Sequence, residues 1–182
     1  RSILRQDPDV LMIGEIRDRV AAENAISISL VGRIVGSTIH SNNTVGTIAR
    51  LVDMEIERAM IAYSIPGLIS QRLVRRICKS CAAPYQPPDN LLVRFELQAA
   101  QHQFMKGAGC EKCNNTGYLG RIGIFEVFEF DDALRSLIVQ SVPMKDLEDH
   151  MTRSGMKTLR DDALEKIRRN ITTLEEISRV VS

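Results

Sequence analysis

Val10-Leu11-Met12-Ile13-Gly14-Glu15 is a short apolar run that stops at a glycine and a carboxylate, and Asp7-Pro8-Asp9 precedes it. A run of this length between turn residues reads as a β-strand buried on both faces, as strands of parallel sheets are. Downstream, Val20 to Val31 carries a helical pattern closed by Gly32, and Ile34 to Ile39 reads as a second buried strand. Strand, helix, strand is a parallel crossover unit, which places the fold in the α/β class. Open parallel sheets bind ligands at the carboxyl ends of their strands. Here those ends are polar, with Glu15 after the first strand and Thr38, His40, Ser41 and Asn42 at and after the second.

Further along, Thr44 to Met54 reads as a helix, and Glu57 to Arg76 as an apolar helical stretch that Pro66-Gly67 kinks or breaks. Arg72, Arg75, Arg76 and Lys79 fall in one segment without an acidic residue. That cluster suits a solvated helix end facing a C-terminal dipole or an ion-pair partner, or a contact with phosphate or a partner protein. Pro84-Tyr85-Gln86-Pro87-Pro88 marks a turn, Ile122 to Phe128 reads as a strand, and the residues from Asp131 onward are helical in pattern. Thr173-Leu174-Glu175-Glu176 has the form of a capping box. The expected organisation is a sheet-bearing core over residues 1–76, a cysteine element over 77–128 and a helical region over 129–182.

The composition bounds the function. The 182 residues are 44% hydrophobic and 26% charged, with a net charge of +1, which gives no reason to expect direct nucleic-acid or anionic-membrane binding. The nearly uncharged stretch from Ala59 to Gln71 is interrupted by Ser64, Pro66 and Gly67, far short of the roughly 20 apolar residues of a bilayer span. Arg1 to Arg5 has no initiator methionine and no signal core and starts inside an amphipathic run, so the chain is expected to be part of something longer.

The four cysteines form two C-x2-C pairs, Cys78 with Cys81 and Cys110 with Cys113. Two such knuckles can close four thiolates around one Zn2+. Paired disulfides and a redox C-x-x-C are the competing readings; the metal spacing and the lack of a secretion signal favour structural zinc. Four sulfur ligands leave no open coordination position, so such a zinc holds structure and does not catalyse.

An apolar strand ending in Gly-Glu is also the form of a Walker B element, which sets a carboxylate where a nucleotide's Mg2+ and terminal phosphate would lie. Taken singly, a glutamate such as Glu15 is more often an ordinary sheet end and a histidine such as His40 more often a satisfied structural residue. Adjacent parallel strands, however, would bring both to one edge. No Gly-Lys-Ser or Gly-Lys-Thr occurs, and Gly155-Met156-Lys157-Thr158 lacks the adjacent Gly-Lys pair of a phosphate loop. Either the protein is no NTPase, or the loop precedes Arg1.

The segment from Ile3 to Asp18 (ILRQDPDVLMIGEIRD) resembles the Walker B region of the type II secretion and type IV pilus assembly ATPases. Ser37-Thr38-Ile39-His40-Ser41-Asn42 resembles their His box, and Gln71 to Cys78 the approach to their zinc element. Gly117 to Glu126 and Ile171 to Glu176 are similar to their C-terminal pattern. Two departures stand out: Arg33 where the family usually has a second histidine, and Pro66 where a helical leucine is usual.

The resemblance implies the C-terminal portion of a RecA-like parallel-sheet core with an inserted four-cysteine zinc element and a small helical C-terminal region. It implies a homo-hexamer that hydrolyses Mg2+-bound ATP. It implies a cytoplasmic location peripheral to the inner membrane, through platform and adaptor proteins. Glu15 and His40 become the catalytic candidates, Gly14, Arg17, Asp18, Thr38 and Arg50 the further nucleotide-site candidates, and Cys78, Cys81, Cys110 and Cys113 the zinc ligands. The cysteine element is similar to that of secretion and pilus-extension members and unlike the retraction ATPases. The other reading is a zinc-stabilised interaction module without nucleotide chemistry.

Overall fold

The computed structural model describes residues 7–98, 100 and 102–181. The run from Arg1 to Arg5 and the Ile3–Gln6 part of the Walker-like segment lie outside the described residues. Strand β1 (Val10–Ile16) and strand β2 (Ile34–Ile39) pair in parallel, with Val10 opposite Ile34 and Ile13 opposite Ser37. Helix α1 (Arg19–Leu30) makes the crossover between them. It starts where Asp18, with an extended backbone, accepts the Ala21 N–H at 2.9 Å, and the chain leaves it through Gly32 at φ +88°.

Burial on both faces holds for only one face of this pair. Leu11 is buried, whereas Val10, Met12 and Ile34 are exposed, Met12 by 72%. The crossover helix packs on β1 and β2 and can shield one side of a two-stranded sheet; among the described residues no second helix does the same on the other.

The chain continues through α2 (Thr44–Asp53), α3 (Arg58–Ser64), β3 (Gly67–Ile77), β4 (Ala82–Pro84), α4 (Asp89–Phe95), β5 (Met105–Gly107) and β6 (Tyr118–Glu129). Four helices follow, α5 (Asp132–Val139), α6 (Met144–Arg153), α7 (Leu159–Arg168) and α8 (Leu174–Val180). The segment expected to stay helical to Arg76 does not. Ile65, before Pro66, turns to extended backbone (φ −100°, ψ 112°), because the proline ring disfavours a helical predecessor. From Gly67 the burial alternates, with Leu68, Ser70, Arg72 and Val74 more buried than the residues between them, a period of two that builds a strand. The basic cluster therefore lies on and after a strand and not at a helix end. β3 pairs with β6.

Two compact units result, one of the residues up to Ser70 with Val127–Met156, the other of Gln71–Glu126 with the residues from Lys157. These cut across the divisions at 76 and 128 drawn along the sequence. Helices α5 and α6 belong to the first unit because Phe128, Phe130, Leu134, Ile138 and Leu147 share its core with Ile48 and Ile61. In the second unit Val74, Ile124, Ile167, Leu174 and Ile177 form the core with Leu92 and Phe95 of α4.

Beside that second core sits a buried carboxylate. Thr173 caps α8 by accepting the Glu176 N–H at 3.3 Å, but the reciprocal half of a capping box is replaced. The Glu176 carboxylate instead accepts the Arg75 N–H at 3.0 Å, the Arg75 guanidinium at 2.7 and 2.9 Å, and Arg179 at 2.8 Å. Burial would raise its pKa; the bonds from Arg179 and from the Arg75 side chain and amide outweigh this and hold it at about 2. A carboxyl depressed in the folded state stabilises above its unfolded value of about 4.3, and that stability is lost as pH falls toward 2. Urea denaturation of the Glu176→Gln variant should show lower stability near neutrality and a shallower loss between about pH 5 and pH 2 than the parent. Parallel acid limbs in parent and variant would remove Glu176 from this role.

Candidate functional site

The parallel pairing carries Glu15 and His40 to the same edge of the sheet. The register shifts by one residue just before that edge: Ile13 faces Ser37 and Ile16 faces Ile39, so Gly14 and Glu15 stand against Thr38 alone. This is a β-bulge, and it re-aims the side chain it carries. The Glu15 carboxylate accepts Arg17 Nε at 2.5 Å on one oxygen, and His40 Nε2 lies 2.7 Å from the other. Glu15, Ile16, Arg17, His40 and Arg50 line a cleft of about 230 Å³. Glu15 is 18% exposed and His40 94% exposed, so a largely covered carboxylate meets an imidazole that projects into solvent.

Four of the seven residues singled out in sequence for this region, Glu15, Arg17, His40 and Arg50, thus line one cleft. The other three do not line it. Asp18 caps α1, Thr38 donates its hydroxyl proton to the Gly14 carbonyl at 2.7 Å, and Gly14 belongs to the bulge. A methyl group added at Gly14 would meet nothing within 4 Å, so the space above the bulge is open. Chemically the cleft joins a carboxylate able to accept a proton or orient water, an imidazole, and two permanently charged guanidiniums suited to a polyanion.

The second site is the cysteine cluster in the second unit. All four sulfurs lie within 4.8 Å of one another, with 3.9 Å between Cys78 and Cys110, 3.9 Å between Cys81 and Cys113, and 3.7 Å between Cys110 and Cys113. Four thiolates at about 2.3 Å from a central ion would be separated by about 3.8 Å in a tetrahedron. A disulfide would need about 2.05 Å. The backbone is arranged for charged sulfur: Gly109 N–H points at Cys81 Sγ at 3.3 Å, and Cys110 and Gly117 N–H at Cys113 Sγ at 3.2 and 3.3 Å. Burial raises the Cys113 thiol, but these amides and the neighbouring thiols bring it down to about 6; burial pushes Cys81 up to about 12. The residues fit a tetrahedral soft-metal ion.

Sequence reading missed what brings the knuckles together. β4 and β5 pair antiparallel, Ala82 with Gly107 and Pro84 with Met105, so Cys81 enters one strand and Cys110 follows the other. The Pro-rich turn hid this ribbon, although Pro84 can sit in an edge strand because no donor is demanded there. The legible signal was glycine: the Gly107 and Gly117 backbones touch so closely that a Cβ on either would collide with the other's carbonyl, and Gly117 has φ +75°. The N–H groups aimed at sulfur carry no sequence signature.

With fold and sites in view, comparison places the chain among secretion ATPase folds. It superposes on the X-ray structure of the Legionella pneumophila ATPase DotB with a TM-score of 0.68, covering 99% of this chain and 40% of that one at 19% identity, a likeness of fold. It is 44% identical over 181 residues to the Type II secretion system ATPase E of Vibrio cholerae, covering 99% of this chain and 36% of the relative. It is 43% identical over 180 residues to the Type IV pilus assembly ATPase PilB of Thermus thermophilus, covering 97% of this chain and 20% of the relative. The chain belongs to the Type II/IV secretion system protein family, which it matches over residues 1–179. It spans about a third or less of the length of these relatives.

The Gly107–Gly117 contact gives a local test. Gly117→Ala should loosen the cysteine element, raising proteolysis and amide exchange between Cys78 and Cys113 severalfold while the first unit's core helices keep their protection. Unchanged exchange around Cys113 would mean that the close approach is not required.

Proposed function

We propose that this chain is the C-terminal part of a hexameric motor ATPase that couples ATP hydrolysis to the movement of pilin or pseudopilin subunits in protein secretion or pilus extension. The observation that carries this is the convergence of Glu15, Arg17, His40 and Arg50 on one cleft at the carboxyl edge of a parallel strand pair. Family membership supports it, since the relatives named above are secretion and pilus assembly ATPases. In this reading residues 1–76 contribute to the ATPase core, 77–128 to the metal element and 129–182 to a helical region, divisions along the chain that the two packing units cross. The machine works on the cytoplasmic side of the inner membrane, held there by platform and adaptor proteins and without direct nucleic-acid contact. No helix among the described residues is long and apolar enough to cross a membrane.

Glu15 orients and polarises the water that attacks the terminal phosphorus, accepting its proton as the bond to ADP breaks. His40, whose Nε2 lies against the same carboxylate, reports the presence of the terminal phosphate, and Arg17 and Arg50 supply positive charge beside it. Mg2+ bound with the nucleotide would neutralise phosphate charge. The phosphate-cradling loop belongs to the rest of the full-length protein. There, Glu15→Gln should keep nucleotide affinity and lower turnover by about a hundredfold, about 3 kcal/mol in the barrier. Normal turnover in that variant, or no nucleotide binding by the parent protein, would favour an interaction module instead.

Cys78, Cys81, Cys110 and Cys113 hold one structural Zn2+ in this reading. The separations and the sulfur-directed amides support it. Metal analysis should return about one zinc per chain, and replacing any one cysteine by serine should release most of it. Protein kept reduced that holds no metal but two disulfides would overturn both the assignment and the cytoplasmic placement.

A further inference from the structure

We propose that Thr38 is a positioning residue for Glu15, acting through the bulge and not through the phosphates. The inference rests on the reading of Glu15 as the water-orienting carboxylate. The sequence makes Thr38 a candidate to touch nucleotide, as a hydroxyl at a ligand-binding edge. The structure uses that hydroxyl differently: its proton goes to the Gly14 carbonyl across the ladder at 2.7 Å. Gly14 is the residue immediately before Glu15, and both stand opposite Thr38 where the register slips.

A bulge in a two-stranded parallel pair is an irregular place, since two residues share the partner of one. Without a pin the extra residue could migrate along β1, and a shift of one residue would turn the Glu15 side chain to the other face of the sheet. The Thr38 bond ties the bulged backbone to β2 at the point of slippage. It also fixes the Glu15 carboxylate at the distance where His40, two residues after Thr38 on the same segment, meets it at 2.7 Å. One residue of β2 thereby sets the spacing between the acid on β1 and the base that follows β2. A threonine whose proton is committed to a carbonyl retains acceptor capacity only, which suits a polyanion poorly.

The test compares Thr38→Val, which keeps the branched shape and removes the hydroxyl, with Thr38→Ser, which keeps the hydroxyl, in the full-length protein. Thr38→Val should lower kcat about tenfold and leave KM for ATP and nucleotide Kd within about twofold, and Thr38→Ser should restore kcat to within about twofold of the parent. Added to Glu15→Gln, Thr38→Val should change turnover by less than about twofold, because both act on the same group. Amide exchange at Glu15 and Ile16 should rise in Thr38→Val and not in Thr38→Ser. A tenfold loss of nucleotide affinity with kcat retained would overturn the proposal in favour of direct phosphate contact. So would a Thr38→Val protein equal to the parent in both turnover and exchange. If Glu15→Gln alone keeps parental turnover, the reading of Glu15 is what fails, and the exchange comparison still decides whether Thr38 pins the bulge.

Discussion

The parallel hydrogen-bonded ladder between β1 and β2 is the constraint on which the cleft depends. In an antiparallel pair the ends of neighbouring strands lie at opposite edges, and Glu15 and His40 would be separated by the length of the sheet. In the parallel pair both strands finish together, and the residues just past their regular pairing become neighbours although 25 positions apart in the chain. The ladder alone is not sufficient, because strict alternation leaves no freedom in where a side chain points. The extra residue at Gly14–Glu15 supplies that freedom. It lets Ile16 and Ile39 pack on the apolar core of their unit while Glu15 faces the cleft.

A different device organises the second unit. Two tight turns present the sulfurs, and the short β4–β5 ribbon holds the turns together. The segments that leave the knuckles then converge on the first turn of α8. The Tyr85 hydroxyl donates to Glu175 at 2.9 Å, Lys106 pairs with Glu175 at 3.0 Å, the Tyr118 hydroxyl meets Thr173 at 2.7 Å, and Arg75 grips Glu176 while stacking over the Tyr118 ring. Burial and the neighbouring carboxylate push the Tyr85 phenol well above its usual range, which keeps it a donor at every physiological pH. Polar contacts therefore tie the segments around the cysteine element to α8, beside the apolar core that Leu174 and Ile177 share with Val74 and Ile124.

How much of this was legible follows from the range of the forces involved. Strand, helix and strand over Val10 to Ile39 were readable because apolar runs and turn residues are local signals, and the two C-x2-C knuckles because metal spacing is local too. The helix expected beyond Pro66 was misread because leucine, isoleucine and arginine at Leu68 to Ile77 satisfy a helical and an alternating pattern alike. Pairing with β6, far away in sequence, decides between them. The exposed Met12 face was unreadable for a related reason, since an apolar strand looks the same whether one or two layers cover it. At this sheet edge, residue types were readable and their contacts were not. Asp18, Thr38 and Gly14 have the chemistry of a nucleotide site and spend it on backbone: a helix cap, a bond to a carbonyl, a bulge.

The two sites differ in how their groups are satisfied, and the difference matches what each would hold. At Glu15 the partners are the exposed side chains of Arg17 and His40, and exposed ion pairs contribute about 1 kcal/mol or less each. Such partners can leave at small cost, which suits the exchange of a diffusible polyanion in the proposed reading. At Cys113 the partners are the Cys110 and Gly117 amides, which the fold cannot withdraw. Cys78 and Cys113 are buried, so an ion enclosed there would be held by ligands already oriented before it arrives. The same chain thus pairs a cleft whose carboxylate is answered by exposed side chains with a cluster whose sulfurs are answered by backbone amides.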